Sequence, residues 1–418
     1  MQATINGLAP DKGLYFPEYI PEPDHEFIQN LADYTKEEIA VNVIKPYIGS
    51  TIPDDVLVTI VTETVNFDFP LINVHDDIYA LELFHGPTLA FKDVGARFMS
   101  RCLGYFSRNE SKKITILVAT SGDTGGAVAN GFHDVPGIDV IILYPSGKVS
   151  KFQEQQLTTL GSNITALEIA GSFDNCQSLV KQAFNDPQIK SKLFLTSANS
   201  INVARWLPQQ FYYFFAYQQW KEKAHPPVVS VPSGNFGNIC AGLLAHRSGL
   251  PVRYFVAACN ANDIVEKYLA TGDYVPMPSV TTISNAMDVG NPSNFARILS
   301  LFDSEFKSLT KVMGAFSISD EETKDILNKV YHQFGYLMDT HGAVGYLALK
   351  KYLSLHPELK GIFLETAHPV KFHDVVEPII KEQIKVPYEL LGIMKGKKTS
   401  IKLSPDYSSF KEFLLTRE

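Results

Sequence analysis

Lys92 is the side chain best placed for covalent chemistry. It sits in Leu83-Phe84-His85-Gly86-Pro87-Thr88-Leu89-Ala90-Phe91-Lys92-Asp93, where an apolar run ends in a turn and an amphipathic helix begins. Most lysines on helix surfaces are exposed and inert. This one follows apolar Leu89, Ala90 and Phe91. Desolvation disfavours an ammonium ion, and a neutral amine adds to an aldehyde to form a Schiff base.

Three turns offer anion-binding groups. Ser233-Gly234-Asn235-Phe236-Gly237-Asn238 lies between a strand ending at Val231-Pro232 and a helix starting near Asn238. Glycines let successive N–H groups converge, and a helix N-terminus adds partial positive charge, which suits a phosphate. Asn235 and Asn238 tolerate left-handed backbone and can cap. An ordinary strand-to-helix turn is the alternative, but it needs fewer glycines and asparagines. Thr120-Ser121-Gly122-Asp123-Thr124-Gly125-Gly126 also joins strand to helix, at a strand's carboxyl end, where open α/β sheets bind ligands. It reads equally as a capped helix start. Neither turn contains GxGxxG, and Gly396-Lys397-Lys398-Thr399 lacks the earlier glycine of a P-loop.

The third turn is Asn199-Ser200-Ile201-Asn202-Val203-Ala204-Arg205. A guanidinium fork suits phosphate or carboxylate. Arginine in the first turns of a helix opposes the dipole, so an anionic ligand or a structural salt bridge should offset it. His85, His341 and His368 have no metal-ligand spacing to another His or Cys and read as structural or as supports behind a site.

The elements needed to hold these turns follow from hydrophobic spacing. Strands are expected at 114–119, 138–144, 164–169, 193–197, 228–231, 252–258 and 361–365. Helices are expected at 124–133, 150–160, 173–184, 203–223, 238–247, 261–269, 319–334, 343–354 and 375–385. This alternation predicts mostly parallel sheets covered by helices on both faces. The first 75 or so residues read as a separate mixed segment, and residues 271–310 as irregular. The basic run 395–402 reads as a solvated surface loop.

The chain has 418 residues, enough for two or three packed units. A net charge of -8 argues against a nucleic-acid or acidic-membrane partner. No stretch is apolar for the length a bilayer needs, and Met1-Gln2-Ala3-Thr4-Ile5-Asn6-Gly7 lacks the features of a signal peptide. Cys102, Cys176, Cys240 and Cys259 are scattered without a CxxC pair. That fits a reducing cytoplasm better than a zinc site or a disulfide framework.

An amine nucleophile with a glycine-asparagine phosphate turn suggests pyridoxal 5'-phosphate. The motifs in order resemble those of the threonine synthases of many bacteria and fungi: His85-Gly86-Pro87-Thr88 with Phe91-Lys92-Asp93, Ser121-Gly122-Asp123-Thr124-Gly125, and Ser233-Gly234-Asn235-Phe236-Gly237-Asn238. The resemblance extends from Asp11-Lys12-Gly13-Leu14-Tyr15 through Asn285-Ala286-Met287-Asp288-Val289-Gly290-Asn291-Pro292-Ser293-Asn294. It continues to Glu365-Thr366-Ala367-His368-Pro369-Val370-Lys371-Phe372, nearly the whole chain.

The resemblance implies an α/β fold of two open, mostly parallel twisted sheets flanked by helices, the type II fold of such enzymes, with an additional N-terminal mixed segment. It implies an N-terminal segment at 1–78, a large domain at 79–98 and 211–418 that binds the cofactor phosphate, and a small substrate-binding domain at 99–210. The implied reaction is a carbon–oxygen lyase step of threonine biosynthesis, converting O-phospho-L-homoserine and water to L-threonine and phosphate. The nearest alternative is a phospho-lyase that releases a keto acid. Lys92 would carry the Schiff base, and Gly234, Asn235, Phe236, Gly237 and Asn238 would hold the cofactor phosphate. Thr366 would face the pyridine nitrogen. Thr120, Ser121, Thr124, Asn199, Ser200 and Arg205 would bind substrate. Asp123 stands beside the cofactor's phenolic oxygen, where many enzymes of this fold have Asn; a carboxylate there needs compensation. The expected partner is the small-molecule substrate, with no nucleic acid and no membrane, in a cytoplasmic monomer or homodimer.

Overall fold

The computed structural model describes residues 1–108 and 112–417. The chain divides into two compact units, one of Met1–Tyr15, Lys92–Arg205 and Val386–Glu418, the other of Phe16–Phe91 and Trp206–Lys385. In chain order the strands are β1 (Leu71–His75), β2 (Ile78–Glu82), β3 (Ile114–Ala119), β4 (Ile138–Pro145), β5 (Ile164–Ile169), β6 (Phe194–Thr196), β7 (Val228–Pro232), β8 (Tyr254–Cys259), β9 (Met313–Ser317), β10 (Gly361–Glu365) and β11 (Ile401–Leu403).

The first unit is built on a parallel five-stranded sheet, ordered β11-β5-β4-β3-β6. Every residue of β3 is buried, as the unbroken run Ile-Thr-Ile-Leu-Val-Ala requires of a strand covered on both faces. Leu117, Ile141 and Leu167 from its strands pack with Leu179 and Val180 of helix Phe173–Asn185, and with Phe410 and Leu414 of helix Tyr407–Leu415.

The second unit has a six-stranded sheet, ordered β1-β2-β10-β7-β8-β9. Only β1 and β2 pair antiparallel; the others are parallel. Both sheets thus have the mostly parallel, helix-flanked form expected of the α/β class.

The units divide the chain differently from the sequence reading. Residues 1–15 belong with the first unit, because Asn202 Nδ2 donates to the Thr4 carbonyl at 2.9 Å and so ties down helix Gln2–Asn6. Residues 386–418 also group there, because β11 adds to the sheet edge, pairing Ile401 with Leu167. The basic run is anchored at Lys398 and β11, while residues 395, 397–399, 401 and 402 stay exposed. Lys398 reaches Glu154 at 2.6 Å and Glu168 at 2.8 Å. Its hydrogen bond, more than any other influence, pulls the Glu168 carboxyl down to about 2.

The N-terminal segment is mixed, with helices up to Thr64 followed by β1 at Leu71–His75. Helix Lys36–Ile48 starts at a Thr35/Glu38 capping box and buries Ile39, Ala40, Val43 and Ile44 at helical spacing. The single aromatic helix expected at 203–223 is three pieces: Val203–Trp206, a 3-10 turn Leu207–Gln209, and Gln210–Gln219. Pro208 has no N–H to continue the α-helical ladder.

Candidate active site

In the first unit, Lys92 opens helix Lys92–Ser107. Its side chain is only 17% exposed, and Nζ lies 3.5 Å from Asp123 Oδ2. Asp123 is buried at the start of helix Asp123–Phe132, and its Oδ1 accepts a hydrogen bond from Gln153 Nε2 at 3.0 Å. An amide donor and a lysine amine therefore face the two oxygens of one carboxylate, which supplies part of the compensation the sequence reading required. Gln153 carries no signal in the sequence; it is the N3 residue of the capping box begun by Ser150.

The 120–124 turn holds its shape from within. Thr120 Oγ1 accepts the N–H groups of Gly122 at 3.0 Å and Gly125 at 2.8 Å. Ser121 and Thr124 lie half-buried around Asp123. Gly122, at φ 139°, is a backbone position that other residues rarely adopt, and it brings no side-chain cap to the helix start.

Arg205 is 3% exposed and donates from an Nη to the Ala198 carbonyl at 2.5 Å. Val203–Trp206 is a single four-residue turn, so Arg205 lies at its start and its end alike. Asn199 and Ser200 are half-buried at the mouth of the same turn. Gly95, one turn after Lys92 on the same helix face, backs Arg205: a Cβ there would lie 2.6 Å from the Arg205 carbonyl oxygen and 3.1 Å from Nε. One helix thereby places the amine and braces the guanidinium. Gly95→Ala should displace Arg205 and lower kcat/KM by about tenfold or more, because small misplacements of positioning groups are costly. Steady-state kinetics check this, with cofactor absorbance confirming that the site still loads.

In the second unit, the 233–238 turn follows β7 and leads into helix Gly237–Arg247. The left-handed residue is Phe236, at φ 60°, rather than either asparagine. The strain, of order 1–2 kcal/mol, is opposed by burying the ring edge-on to Phe295. A phenylalanine N-cap has no oxygen to offer the first helical N–H groups. Asn235 is turned to structural work: its Oδ1 accepts from Ser293 N–H at 2.6 Å. Asn238 Oδ1 accepts from the Tyr213 hydroxyl at 2.9 Å. Asn238 Nδ2 is fully buried and has no hydrogen-bond partner among the described residues. Gly234 fits only as glycine, since a Cβ would lie 2.6 Å from Met287 Cα.

Thr366 is buried directly after β10, and its carbonyl accepts Phe91 N–H at 2.9 Å. His368 N–H donates to the Leu89 carbonyl at 3.0 Å, and buried Lys371 donates from Nζ to the Thr88 carbonyl at 2.7 Å. The Tyr212 hydroxyl donates to the Phe91 carbonyl. These bonds clamp the stretch that leads covalently into Lys92. The sequence reading missed Lys371, whose only signal is a lysine set in the apolar run Pro369-Val370-Lys371-Phe372.

Each of the three histidines has a hydrogen-bond or ion-pair partner. His85 Nε2 lies 2.7 Å from Glu82. His368 Nδ1 accepts Val370 N–H, and burial lowers its pKa to about 4. His341 contacts Asp339. Among the described residues, no group of three or more His, Cys, Asp or Glu is arranged for a metal, and no helix is long and apolar enough to cross a membrane.

A buried orphan amide and an uncapped helix start after a glycine-tight turn suit a phosphate. A half-buried lysine amine suits an aldehyde, and a neutral threonine hydroxyl suits an uncharged ring nitrogen. Fold and donor set together define a pyridoxal-phosphate enzyme, and residues 62–361 match the family model for pyridoxal-phosphate-dependent enzymes. Residues 1–65 match the model for the threonine synthase N terminus, and residues 342–414 the threonine synthase C-terminal model.

A threonine synthase of Haemophilus influenzae is 46% identical, over 99% of this chain and 96% of its own length. The crystal structure of threonine synthase from Escherichia coli has a TM-score of 0.92 at 42% identity, covering 100% of this chain and 96% of that one. The PLP-bound threonine synthase from Brucella melitensis has a TM-score of 0.93 at 34% identity, covering 99% of this chain and 95% of that one. The chain belongs to the threonine synthase family.

Proposed function

We propose that this chain converts O-phospho-L-homoserine and water to L-threonine and phosphate, using pyridoxal phosphate held by Lys92, Asp123, residues 234–238 and Thr366. The observation that carries this reading is its full-length likeness to proteins named threonine synthase. The buried Arg205 turn supports it, since a dehydratase acting on an unphosphorylated amino acid has no use for that guanidinium.

When bound, the cofactor supplies an electron sink for carbanion chemistry beside the substrate amine. The Lys92 amine, once displaced by that of the substrate, takes the Cα proton as general base. Asp123 keeps the amine oriented from 3.5 Å. Arg205, with donors from Asn199 and Ser200, neutralises the charge that grows on the phosphate as it leaves Cγ, which a fixed, desolvated fork does well. Ser121 and Thr124 hold the substrate carboxylate, with Thr120 shaping their turn. A proton leaves Cβ as phosphate departs from Cγ, and Cγ gains a proton to become the methyl group. Water adds its hydroxyl at Cβ, with its other proton taken up by phosphate, and the Cα proton is returned.

The reaction belongs to the cytoplasm, in a monomer or homodimer; the four buried free thiols support that reducing location. Incubating the PLP-loaded protein with O-phosphohomoserine tests the reading. Threonine and phosphate in equal amounts are expected. A keto acid with phosphate and no threonine would replace it with the phospho-lyase.

A further inference from the structure

Asp339 is the N-cap of helix Thr340–Leu355, in the second unit. Its Oδ1 accepts Gly342 N–H at 2.7 Å, and its Oδ2 lies 2.5 Å from His341 Nδ1. The other ring nitrogen, Nε2, accepts the main-chain N–H of Ala286 at 3.2 Å. A main-chain amide can only donate, so Nε2 carries no proton; the ring is neutral, with its hydrogen on Nδ1. Ala286 belongs to the turn Asn285–Met287, against which Gly234 rests, with Ala286 O and Met287 Cα where a Cβ would otherwise go. Thr340 Oγ1 donates to the Ile283 carbonyl at 3.0 Å and fixes the same stretch upstream.

The Asp339 turn reaches a second cofactor contact. Its main-chain N–H donates to Glu365 Oε1 at 2.7 Å, one residue before Thr366. Burial, reinforced by the nearby Asp339 charge, pushes the Glu365 carboxyl well above its ordinary range.

We propose that Asp339 and His341 are positioning residues for the cofactor: Asp339 selects the His341 tautomer, and Nε2 of that tautomer holds the 285–287 turn that backs the phosphate-gripping 234–238 turn. The inference rests on residues 234–238 being the phosphate site. His341 then acts at one remove, through Ala286.

Asp339→Asn is the decisive variant, because it changes no heavy-atom count. The Asn oxygen keeps the cap on Gly342, while its amide faces Nδ1 and transfers the ring proton to Nε2, donor against donor at Ala286. His341→Gln keeps an acceptor near Nε2, whereas His341→Asn reaches only as far as Nδ1. The readouts are the dissociation constant of PLP from titration of apoprotein and the phosphorus NMR shift of the bound phosphate. Asp339→Asn and His341→Asn should each weaken PLP by about tenfold or more and move the phosphorus resonance, since a buried donor loses its acceptor. His341→Gln should stay within about threefold of wild type, because that acceptor is restored. Wild-type affinity and an unmoved resonance in Asp339→Asn overturn the proposal, as does a loss in His341→Gln equal to that in His341→Asn. If the His341 variants do not fold, Asp339→Asn decides alone. Gly234→Ala separates the two readings: if it binds PLP as wild type does, the phosphate site itself is wrong, whereas a weakened Gly234→Ala beside an unchanged Asp339→Asn overturns only the positioning role.

Discussion

Lys92→Ala abolishes measurable threonine formation and removes the visible absorbance of the lysine-linked cofactor. The amine is proposed both to hold the aldehyde and, once displaced, to move the substrate's proton, so one truncation removes two functions. Loss of a general base alone costs about 10²–10⁴-fold, and loss of the covalent anchor adds to it. The fold should survive, because Lys92 is the first residue of its helix and its side chain is partly exposed. Asp123 keeps its Gln153 hydrogen bond in the variant. PLP should still bind, more weakly, through the 234–238 turn. Steady-state turnover and an absorbance spectrum check both parts. Turnover at the wild-type rate would remove Lys92 from its role.

Arg205→Ala lowers kcat/KM for O-phosphohomoserine by more than about tenfold, a loss above about 1.4 kcal/mol. A neutral side chain leaves the departing phosphate uncompensated in a buried setting, where charge is expensive. Arg205→Lys should recover only part of the loss, since a point charge lacks the planar fork. The same guanidinium holds the Ala198 carbonyl at 2.5 Å, so a thermal melt should accompany the kinetics to register any loosening of the turn. Kinetics equal to wild type would end the phosphate-site reading of Arg205.

Strands whose residues are buried on both faces were the most legible in the sequence. β3, β5 and β10 lie at the expected 114–119, 164–169 and 361–365, because a largely apolar, buried parallel strand stands out from its flanking turns even with single polar residues such as Thr115, Glu168 or Glu365 in it. The edge strands β9 and β11 were not legible, although β6, also short and at an edge, falls within the expected 193–197. β11 is Ile-Lys-Leu, with its first two residues exposed, and it is identified by Leu167 across the ladder rather than by its own pattern. β9, Met-Gly-Ala-Phe-Ser, is mostly half-buried and lacks a β-branched run. The anchoring of Lys398 in the basic run was not legible because its partners, Glu154 and Glu168, lie more than 200 positions earlier in the chain.

The chemistry-bearing residues were legible where local composition was unusual: a lysine after three apolar residues, and glycines with asparagines between strand and helix. Their supports were not. Gln153, Lys371 and Asp339 act through hydrogen bonds to residues distant in sequence or through a cap, and the local patterns around them, a capping box at Ser150 and a lysine in an apolar run, do not point to those partners. The left-handed Phe236 contradicts the preference for Asn or Gly at such positions, because burial against Phe295 overrides local propensity.

Borohydride reduction of the PLP-loaded protein, followed by proteolysis and mass spectrometry, locates the covalent link directly. The pyridoxyl phosphate label should appear on the peptide carrying Lys92 and on no other lysine. A label on a different lysine, or none on a protein that binds PLP and makes threonine, would contradict the account.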